Sequence, residues 1–325
     1  MMFDQATMLR RRAGLLRMTR QFFDNAGFIE IQPPCLSADN VVDAHIDPVE
    51  VTGAALGLPP GSMGHGSIDD VYYLQSSPEF AMKRLLAGGI GSIYSLGPVF
   101  RAGERSKRHN IEFTMLEWYD VGASMDDAIR QTIDLFQQAV PGKPVRVVTY
   151  RELFMQVLGM DPVSCALDDV ASLVADVDAH LASTIDHDRD AMLDVLLTER
   201  IEPKILHESV LIKNYPISQA ALARRSDVDP ETAERFELIA EGLELANGYG
   251  ELLDADELYA RALSSNERRV ATGRRPLRPT SRMLDAMRSG LPVCAGVAMG
   301  FDRLVMLAIG SRDIADVMTY PIELA

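Results

Sequence analysis

The sequence reads Glu112-Phe113-Thr114-Met115-Leu116-Glu117-Trp118-Tyr119-Asp120-Val121 just past its first third. This alternation is typical of a β-strand, because successive side chains of a strand point to opposite faces of a sheet. The period of two places four side chains on one face, namely Phe113, Met115, Glu117 and Tyr119. A carboxylate and a phenol thus share one face of a strand that is otherwise mostly apolar. Packing alone does not explain this pairing, so we expect a chemical role for that face.

The segments around this strand predict strands and helices in irregular order. Helices are predicted over residues 7–23, 79–87, 124–140, 166–200, 257–271, 281–288 and 301–309, and strands over 28–31, 71–74, 92–96, 210–212 and 243–253. Residues 53–66 hold five Gly and two Pro and predict a loop. Because strands and helices do not alternate regularly, the pattern favours an α+β fold with an antiparallel sheet flanked by helices. We expect a single domain over residues 1–325, with a helical insertion around 150–205.

Composition and charge limit the class of protein. The chain has 325 residues, and 32 Lys and Arg against 47 Asp and Glu give a net charge of −15. Apolar residues make up 47%, which excludes intrinsic disorder. No apolar run approaches the ~18 residues of a membrane span and no signal peptide is evident, so we expect a cytoplasmic protein that does not engage membranes. The acidity argues against broad nucleic-acid binding, which depends on neutralising phosphates. The three cysteines are too few and too dispersed for a disulfide framework or a CxxC zinc site.

Three segments could carry chemistry, although the common phosphate-loop and dinucleotide signatures are absent. Residues 100–110 concentrate four fixed positive charges and a histidine, which suits either a solvated hairpin tip or a polyphosphate clamp. Glu244 and Glu251 flank a glycine turn and could be solvated or bind Mg²⁺ together with substrate phosphates. Residues 296–307 run from a glycine-rich strand into an apolar helix with Arg303 in its first turn, which suits either an ordinary turn or an anion site.

The order of these segments resembles the catalytic core of the class II aminoacyl-tRNA synthetases, and within that class lysyl-tRNA synthetase. The residues that carry the resemblance are Ser77-Pro78-Glu79, Lys83-Arg84-Leu85, His109-Asn110, Glu112 to Tyr119, Glu244 to Glu251 and the Ala-x-Gly-x-Asp-Arg run ending at Arg303. The segment Gly27 to Pro34 resembles motif 1, and because it comes so early in the sequence we expect no anticodon-binding domain. The chain is therefore similar to the stand-alone paralogues of lysyl-tRNA synthetase that ligate (R)-β-lysine to elongation factor P.

The resemblance implies a role for each matching residue. It implies catalysis by Arg101, on the α-phosphate of ATP, and by Arg303, which with His109 would hold the distal phosphates. The implied ATP site comprises Arg101, Ala102, Gly103, Glu104, His109, Asn110, Phe113, Glu244, Leu245, Gly300 and Arg303. The implied pocket for lysine or (R)-β-lysine comprises Ser77, Pro78, Glu79, Glu117, Tyr119, Glu251 and Ala298, where Ala298 replaces the usual Gly of lysyl-tRNA synthetases. Glu244 and Glu251 would bind Mg²⁺, and motif 1 implies a homodimer.

Some features leave alternatives open. Ala102-Gly103-Glu104 stands where many relatives have Arg-Asn-Glu, so the usual adenine contact of that Glu could be lost, made by Glu104 or replaced by backbone groups. Six arginines between Asn266 and Arg282 suit either a solvated surface or a docking patch for an acidic partner such as elongation factor P. A small enzyme that aminoacylates tRNA, a ligase with a small product and a non-catalytic regulatory paralogue are the competing functions. The sequence does not decide between α-lysine and (R)-β-lysine.

Overall fold

The computed structural model describes residues 4–59, 71–185 and 188–325, which fall into two units, Met1–Ala123 with Leu253–Ala325 and Ser124–Leu252. The strands are β1 (Ile29–Glu30), β2 (Leu36–Ser37), β3 (Val49–Thr52), β4 (Val71–Leu74), β5 (Ile93–Phe100), β6 (Glu112–Val121), β7 (Val145–Thr149), β8 (Ser209–Lys213), β9 (Arg235–Ala240), β10 (Leu243–Gly250) and β11 (Cys294–Gly300). The α-helices are α1 (Gln5–Asn25), α2 (Glu79–Ala87), α3 (Met125–Ala139), α4 (Tyr150–Leu158), α5 (Leu167–Ala175), α6 (Ala179–Ile185), α7 (Arg189–Leu196), α8 (Ala255–Ala271), α9 (Arg282–Ser289) and α10 (Phe301–Ile309).

Most predicted elements are confirmed. The loop predicted over residues 53–66 is confirmed for the part of it that the structure describes. It contains a short 3₁₀ turn over Ala54–Leu56, and residues 60–66 lie outside the described part of the chain. The predicted helix over 166–200 is divided into α5, α6 and α7. Within the described ranges, no helix is long and apolar enough to cross a membrane.

The first unit contains four sheet strands in the order β1-β5-β6-β11 and a small sheet in the order β2-β4-β3. Strand β6 pairs antiparallel with both β5 and β11, as predicted. Strand β1 instead pairs parallel with β5, and β7 with β8 in the second unit, so the prediction of an antiparallel sheet is wrong at these two positions. In both cases the connection between the paired strands contains helices, which is the long crossover that parallel pairing requires.

The register of the three central strands leaves space around Glu117. Directly opposite partners lie on the same face, and Glu117 lies between Ser95 of β5 and Ala298 of β11. Two residues to either side of Ala298, β11 carries Gly296 and Gly300. Small side chains thus surround the carboxylate, and this face of the sheet can admit a ligand.

The opposite face of β6 is closed by aromatic packing. Trp118 and Tyr94 are fully buried, and both rings lie against Phe23 of α1 at centroid distances of 5.3 and 4.6 Å. Alternation along β6 therefore separates a packed face from a polar one, as the period of two predicts.

The second unit contains the strand order β10-β9-β8-β7. Strand β9 pairs antiparallel with both β8 and β10. The hydrophobic core of the second unit includes apolar side chains from α4, α5, α7 and β8, among them Phe154, Val170, Leu193, Leu196 and Ile212. Helices α4, α5 and α7, which lie in the region 150–205 where the sequence predicts a helical insertion, therefore pack on this sheet.

Candidate active site

A buried carboxylate lies at the centre of the polar face of β6. Glu117 is 1% exposed; the Ser77 hydroxyl donates to its Oε2 and the Tyr119 hydroxyl to its Oε1, both at 2.7 Å. Burial, together with the nearby charge of Glu79, raises the pKa of Glu117 to about 8, although the two hydroxyl donors and Lys83 act to lower it. The structure thus brings together four residues of the predicted amino-acid pocket and leaves a carboxylate whose charge depends on its environment.

Lys83 is a member of this pocket whose role the sequence did not reveal. Its Nζ donates to Glu79 Oε1 at 2.5 Å and lies 5.7 Å from the centre of the Tyr119 ring. The spacing Glu79-x-x-x-Lys83 on α2 is the signal that could have identified the pair. Pro78 precedes the helix as its N-cap, and the Ser77 hydroxyl accepts the backbone N–H of Glu79. Because Lys83 is only 2% exposed, the pair places a cation among the pocket carboxylates.

Arg101 lies at the end of β5 in the basic loop. Its guanidinium lies over the Phe113 ring at 5.1 Å, and its Nη1 is 3.6 Å from Glu104 Oε1. Gly103, with φ of +78°, forms the turn in the left-handed conformation that favours glycine. The stacking orients the cation and Glu104 partly balances its charge, so an incoming phosphate would compete with Glu104 for Arg101.

His109 and Arg303 meet, as the resemblance implies. Arg303 Nη2 lies 2.7 Å from His109 Nε2, and Ser106 Oγ lies 2.8 Å from His109 Nδ1. A guanidinium only donates, so Nε2 is the acceptor and Nδ1 carries the proton that it donates to Ser106. Burial lowers the pKa of His109, and the charge of Arg303 lowers it further. Gly300 lies directly beside this side chain, since a Cβ built on it would be 3.4 Å from Arg303, an ordinary van der Waals contact.

Asn110 is buried and its amide is engaged at both ends. Its Nδ2 donates to the Glu112 carbonyl at 2.7 Å, and its Oδ1 accepts the Ile322 N–H at 3.1 Å. In the described structure the side chain therefore fixes the backbone around it. An adenine contact by Asn110 stays a prediction.

Asp302 belongs to the run that ends at Arg303, but the sequence did not reveal a role for it. It is 2% exposed and follows Gly300 by two positions, directly before Arg303. Its Oδ1 accepts from Arg12 Nη1 at 2.5 Å and its Oδ2 from the Thr114 N–H at 2.6 Å. Asp302 thereby ties the start of α10 to α1 and β6.

In the second unit, a bulge in β10 changes which side chains share a face. Glu244 lies opposite Ile239 but Ala246 lies opposite Leu238, so Leu245 is an extra residue and is buried at 2% exposure. Without the bulge, residues seven apart would point to opposite faces. With the bulge, Glu244 and Asn247 lie on the same face of β10. Because side chains alternate along the chain beyond Asn247, Glu251 lies on that face too.

This face offers oxygen ligands. The Oδ1 of Asn247 is buried and makes no hydrogen bond within the described structure, and Glu251 is 1% exposed. Among the residues that the structure describes, no cluster of three or more His, Cys, Asp or Glu could hold a metal ion alone. The donors are all hard oxygens, a set that fits Mg²⁺ when phosphates complete its coordination.

Three of the six arginines in segment 266–282 are engaged within the first unit, contrary to a simple docking patch. Arg269 is 2% exposed, Arg274 Nε lies 3.3 Å from Asp47 Oδ2 and Arg275 Nη1 lies 3.4 Å from Glu50 Oε2. These three arginines bind the segment 43–50 of the same unit. The remaining arginines, Arg268, Arg278 and Arg282, are therefore the first candidates for any docking role.

Comparison with known proteins places the chain among close relatives. Residues 4–324 match the family model of the class II tRNA synthetases (D, K and N). The chain is 40% identical over 319 residues to the elongation factor P–(R)-β-lysine ligase of Salmonella gallinarum, and 39% identical over 319 residues to the ligases of the same name from Salmonella typhi and Salmonella dublin. Each alignment covers 98% of this chain and 95% of the relative.

Proposed function

The chain belongs to the class II tRNA synthetases (D, K and N), and from this membership we propose that it is an ATP-dependent, AMP-forming ligase that attaches (R)-β-lysine or lysine to elongation factor P. The observation that carries the proposal is the similarity to ligases of this name over 98% of the chain. The pocket is consistent with it, because a ligand with two ammonium groups matches a site in which Glu79 lies near enough to Glu117 for its charge to raise the pKa of Glu117.

In the first step, a carboxylate oxygen of the amino acid attacks the α-phosphorus of ATP. The bond to the pyrophosphate oxygen breaks, and an aminoacyl-adenylate forms. Arg101 would bind the α-phosphate, and Arg303 with the neutral His109 would bind the distal phosphates. This step needs little proton transfer, so positioning and charge stabilisation dominate its rate.

Glu244 and Glu251, with Asn247 on the same face, are the residues that would hold Mg²⁺. The ion would supply positive charge against the ATP phosphates. Glu251 would also approach the amino-acid substrate.

In the second step, the neutral amine of a lysine side chain of the acceptor attacks the acyl carbon of the adenylate. An amide bond forms, the bond to the phosphate oxygen breaks and AMP leaves, while the amine loses one proton. The chain would supply binding and orientation here, because the acyl group is already activated by the adenylate.

We also propose a homodimer and a cytoplasmic location. Among the described residues, the motif 1-like strand β1 pairs with β5 alone, and Ile29 on it is 47% exposed. An apolar side chain on an edge strand is suited to contact with a second copy.

The test offers the purified protein ATP, Mg²⁺ and radiolabelled lysine or (R)-β-lysine, with elongation factor P and tRNA present together. ATP–pyrophosphate exchange reports the first step, and the macromolecule that carries label reports the acceptor. Label on elongation factor P, lost when its acceptor lysine is replaced by Arg, is the expected result.

Other results identify the competing functions. Label on tRNA would show a small tRNA-aminoacylating enzyme. Exchange without label on either macromolecule would indicate a ligase with a small product. No exchange with either lysine isomer, from protein that still binds ATP, would indicate a regulatory paralogue.

A further inference from the structure

Arg269 is a buried cation that the proposed reaction does not use. It lies on α8, a helix with many exposed charges, yet its side chain is 3% exposed. Its Nη1 donates to the carbonyls of Asp43 and Ile46, both at 2.9 Å, and its Nε donates to the Arg275 carbonyl at 2.8 Å. Its Nη2 donates to Asp47 Oδ1 at 2.6 Å. Only the planar fork of a guanidinium can serve all of these acceptors at once.

These contacts fix an irregular segment between β2 and β3. Asp43 Oδ1 accepts the backbone N–H groups of His45 and Ile46, which closes a tight turn. Arg274 adds a second cation, with Nη1 donating to the Ala44 carbonyl at 2.9 Å. The segment 43–47 is therefore held by arginine side chains rather than by a sheet partner.

The segment in turn holds the loop that carries Arg101. The carbonyl of Asp47 accepts the Ala102 N–H at 2.8 Å, and the Arg101 N–H donates to the Ile111 carbonyl at 2.9 Å. The peptide units on both sides of Arg101 are thus anchored before the chain turns at Gly103. One continuous series of contacts, all within the first unit, leads from Arg269 through Asp47 and Ala102 to Arg101.

We propose that Arg269 is a positioning residue for Arg101, acting through Asp47. This rests on the proposed function, in which Arg101 binds the α-phosphate of ATP. A buried ion pair is weak evidence of a stabilising role, since apolar replacements are often as stable. Positioning is a stronger reason for a buried guanidinium here, because a displacement of about 1 Å at a reacting group can lower a rate by about 10²-fold.

The test is a double-mutant cycle on ATP–pyrophosphate exchange. The variants are Arg269→Lys, Arg101→Ala and the combination, with Asp47→Asn as a second route to the same effect. Glu50→Gln is the matched control, because Glu50 lies on β3 and pairs with Arg275 of the same arginine-rich segment. Kinetic constants are measured separately for ATP and for the amino acid, and thermal unfolding reports the folded fraction.

Arg269→Lys is expected to lower kcat/KM for ATP on the order of tenfold. The KM for the amino acid should be unchanged, and Asp47→Asn should act in the same direction while Glu50→Gln has no effect. In the Arg101→Ala background, Arg269→Lys should cost less than about twofold, because contacting groups are not additive.

An equal loss in both backgrounds would overturn the proposal, as would a loss explained entirely by a smaller folded fraction with unchanged constants. Failure of the proposed function is distinguishable, since the wild-type protein would then show no exchange. In that event, ATP binding measured by calorimetry tests the same cycle: coupling between Arg269 and Arg101 supports the proposal, and independent effects contradict it.

Discussion

At the residue scale, burial controls the charge of the amino-acid pocket. Glu117 accepts two hydrogen bonds, which favour its ionised form, but burial and Glu79 raise its pKa to about 8. A substrate ammonium group beside it would favour the ionised form again. The pocket is therefore set to gain a negative charge when its cationic ligand arrives.

This predicts that substrate binding depends on pH. At a pH below its pKa of about 8, Glu117 holds a proton that an incoming ammonium must displace. The KM for lysine or (R)-β-lysine should fall as pH rises from 6.5 to 8.5, by up to about tenfold per unit. The KM for ATP should stay constant. Glu117→Gln should raise the amino-acid KM and abolish its pH dependence, whereas Glu112→Gln, at the exposed start of the same strand, should behave as wild type.

The raised pKa of Glu117 also predicts how the stability of the fold changes with pH. The folded-state pKa of Glu117 lies above its ordinary value of 4.5, so its contribution is fully present below that value and is lost as pH rises through about 8. Without substrate, the melting temperature should fall as pH rises from 6 to 9, and by less in Glu117→Gln. Thermal unfolding at several pH values checks this, and a parallel fall in both proteins would count against it.

Arg101 gives a second prediction at this scale. Its guanidinium is oriented by the Phe113 ring and by nearby Glu104, so Arg101→Ala should remove a preplaced charge rather than unfold the loop. Loss of such a group costs on the order of 10²–10³ in rate, about 3–4 kcal/mol. Pyrophosphate exchange at saturating amino acid measures it. Near-normal exchange would mean that another residue binds the α-phosphate.

At the scale of elements, the sequence predicts what local periodicity determines. Strand β6 and helices α2 and α10 have the bounds that their patterns predict. Strands β7 and β9 were missed, because their charged residues at Arg146, Arg235 and Glu237 interrupt the apolar pattern. The bulge at Leu245 could not be foreseen either, since it depends on pairing with β9. For the same reason the sequence named Glu244 and Glu251 but not Asn247.

Long-range contacts account for the remaining residues that were missed. Arg269 binds the segment 43–47, which lies more than 200 positions away in the chain. Arg12 and Asp302 are likewise distant in sequence and meet only when α1 and α10 pack. No local sequence pattern predicts a contact between residues so far apart in the chain. The sequence therefore indicated an arginine-rich patch, whereas in the fold three of its six arginines make contacts within the first unit.

The junction of α1, β6 and α10 gives the prediction at this scale. Asp302→Ala would leave Arg12, whose side chain is 15% exposed, without its carboxylate and the Thr114 N–H without its acceptor. Removing one partner of a buried ion pair costs about 3–5 kcal/mol. Chemical denaturation of Asp302→Ala should show a free energy of unfolding that is lower by about this amount. The loss should be smaller when Arg12→Met is combined with Asp302→Ala. Equal losses in the single and double variants would show that the pair is not coupled.

At the scale of the whole molecule, charge bears on the choice of acceptor. The chain carries a net charge of −15, and three arginines of the arginine-rich segment 266–282 are engaged with Asp47, Glu50 and backbone carbonyls. Binding to tRNA depends on lysines and arginines that neutralise phosphates. A protein acceptor instead needs only a surface that orients it, which the remaining arginines could supply.

This predicts that tRNA does not compete for the acceptor site. Adding tRNA in tenfold excess over elongation factor P should leave the rate of label transfer to the factor unchanged at 50 mM and at 200 mM salt. The physical reason is repulsion between two polyanions, which a low salt concentration strengthens rather than relieves. Arg268→Glu combined with Arg282→Glu is expected to slow transfer to the factor without changing pyrophosphate exchange. Inhibition by tRNA that weakens steeply with salt would instead reveal a phosphate-binding surface, and would make tRNA the acceptor to pursue.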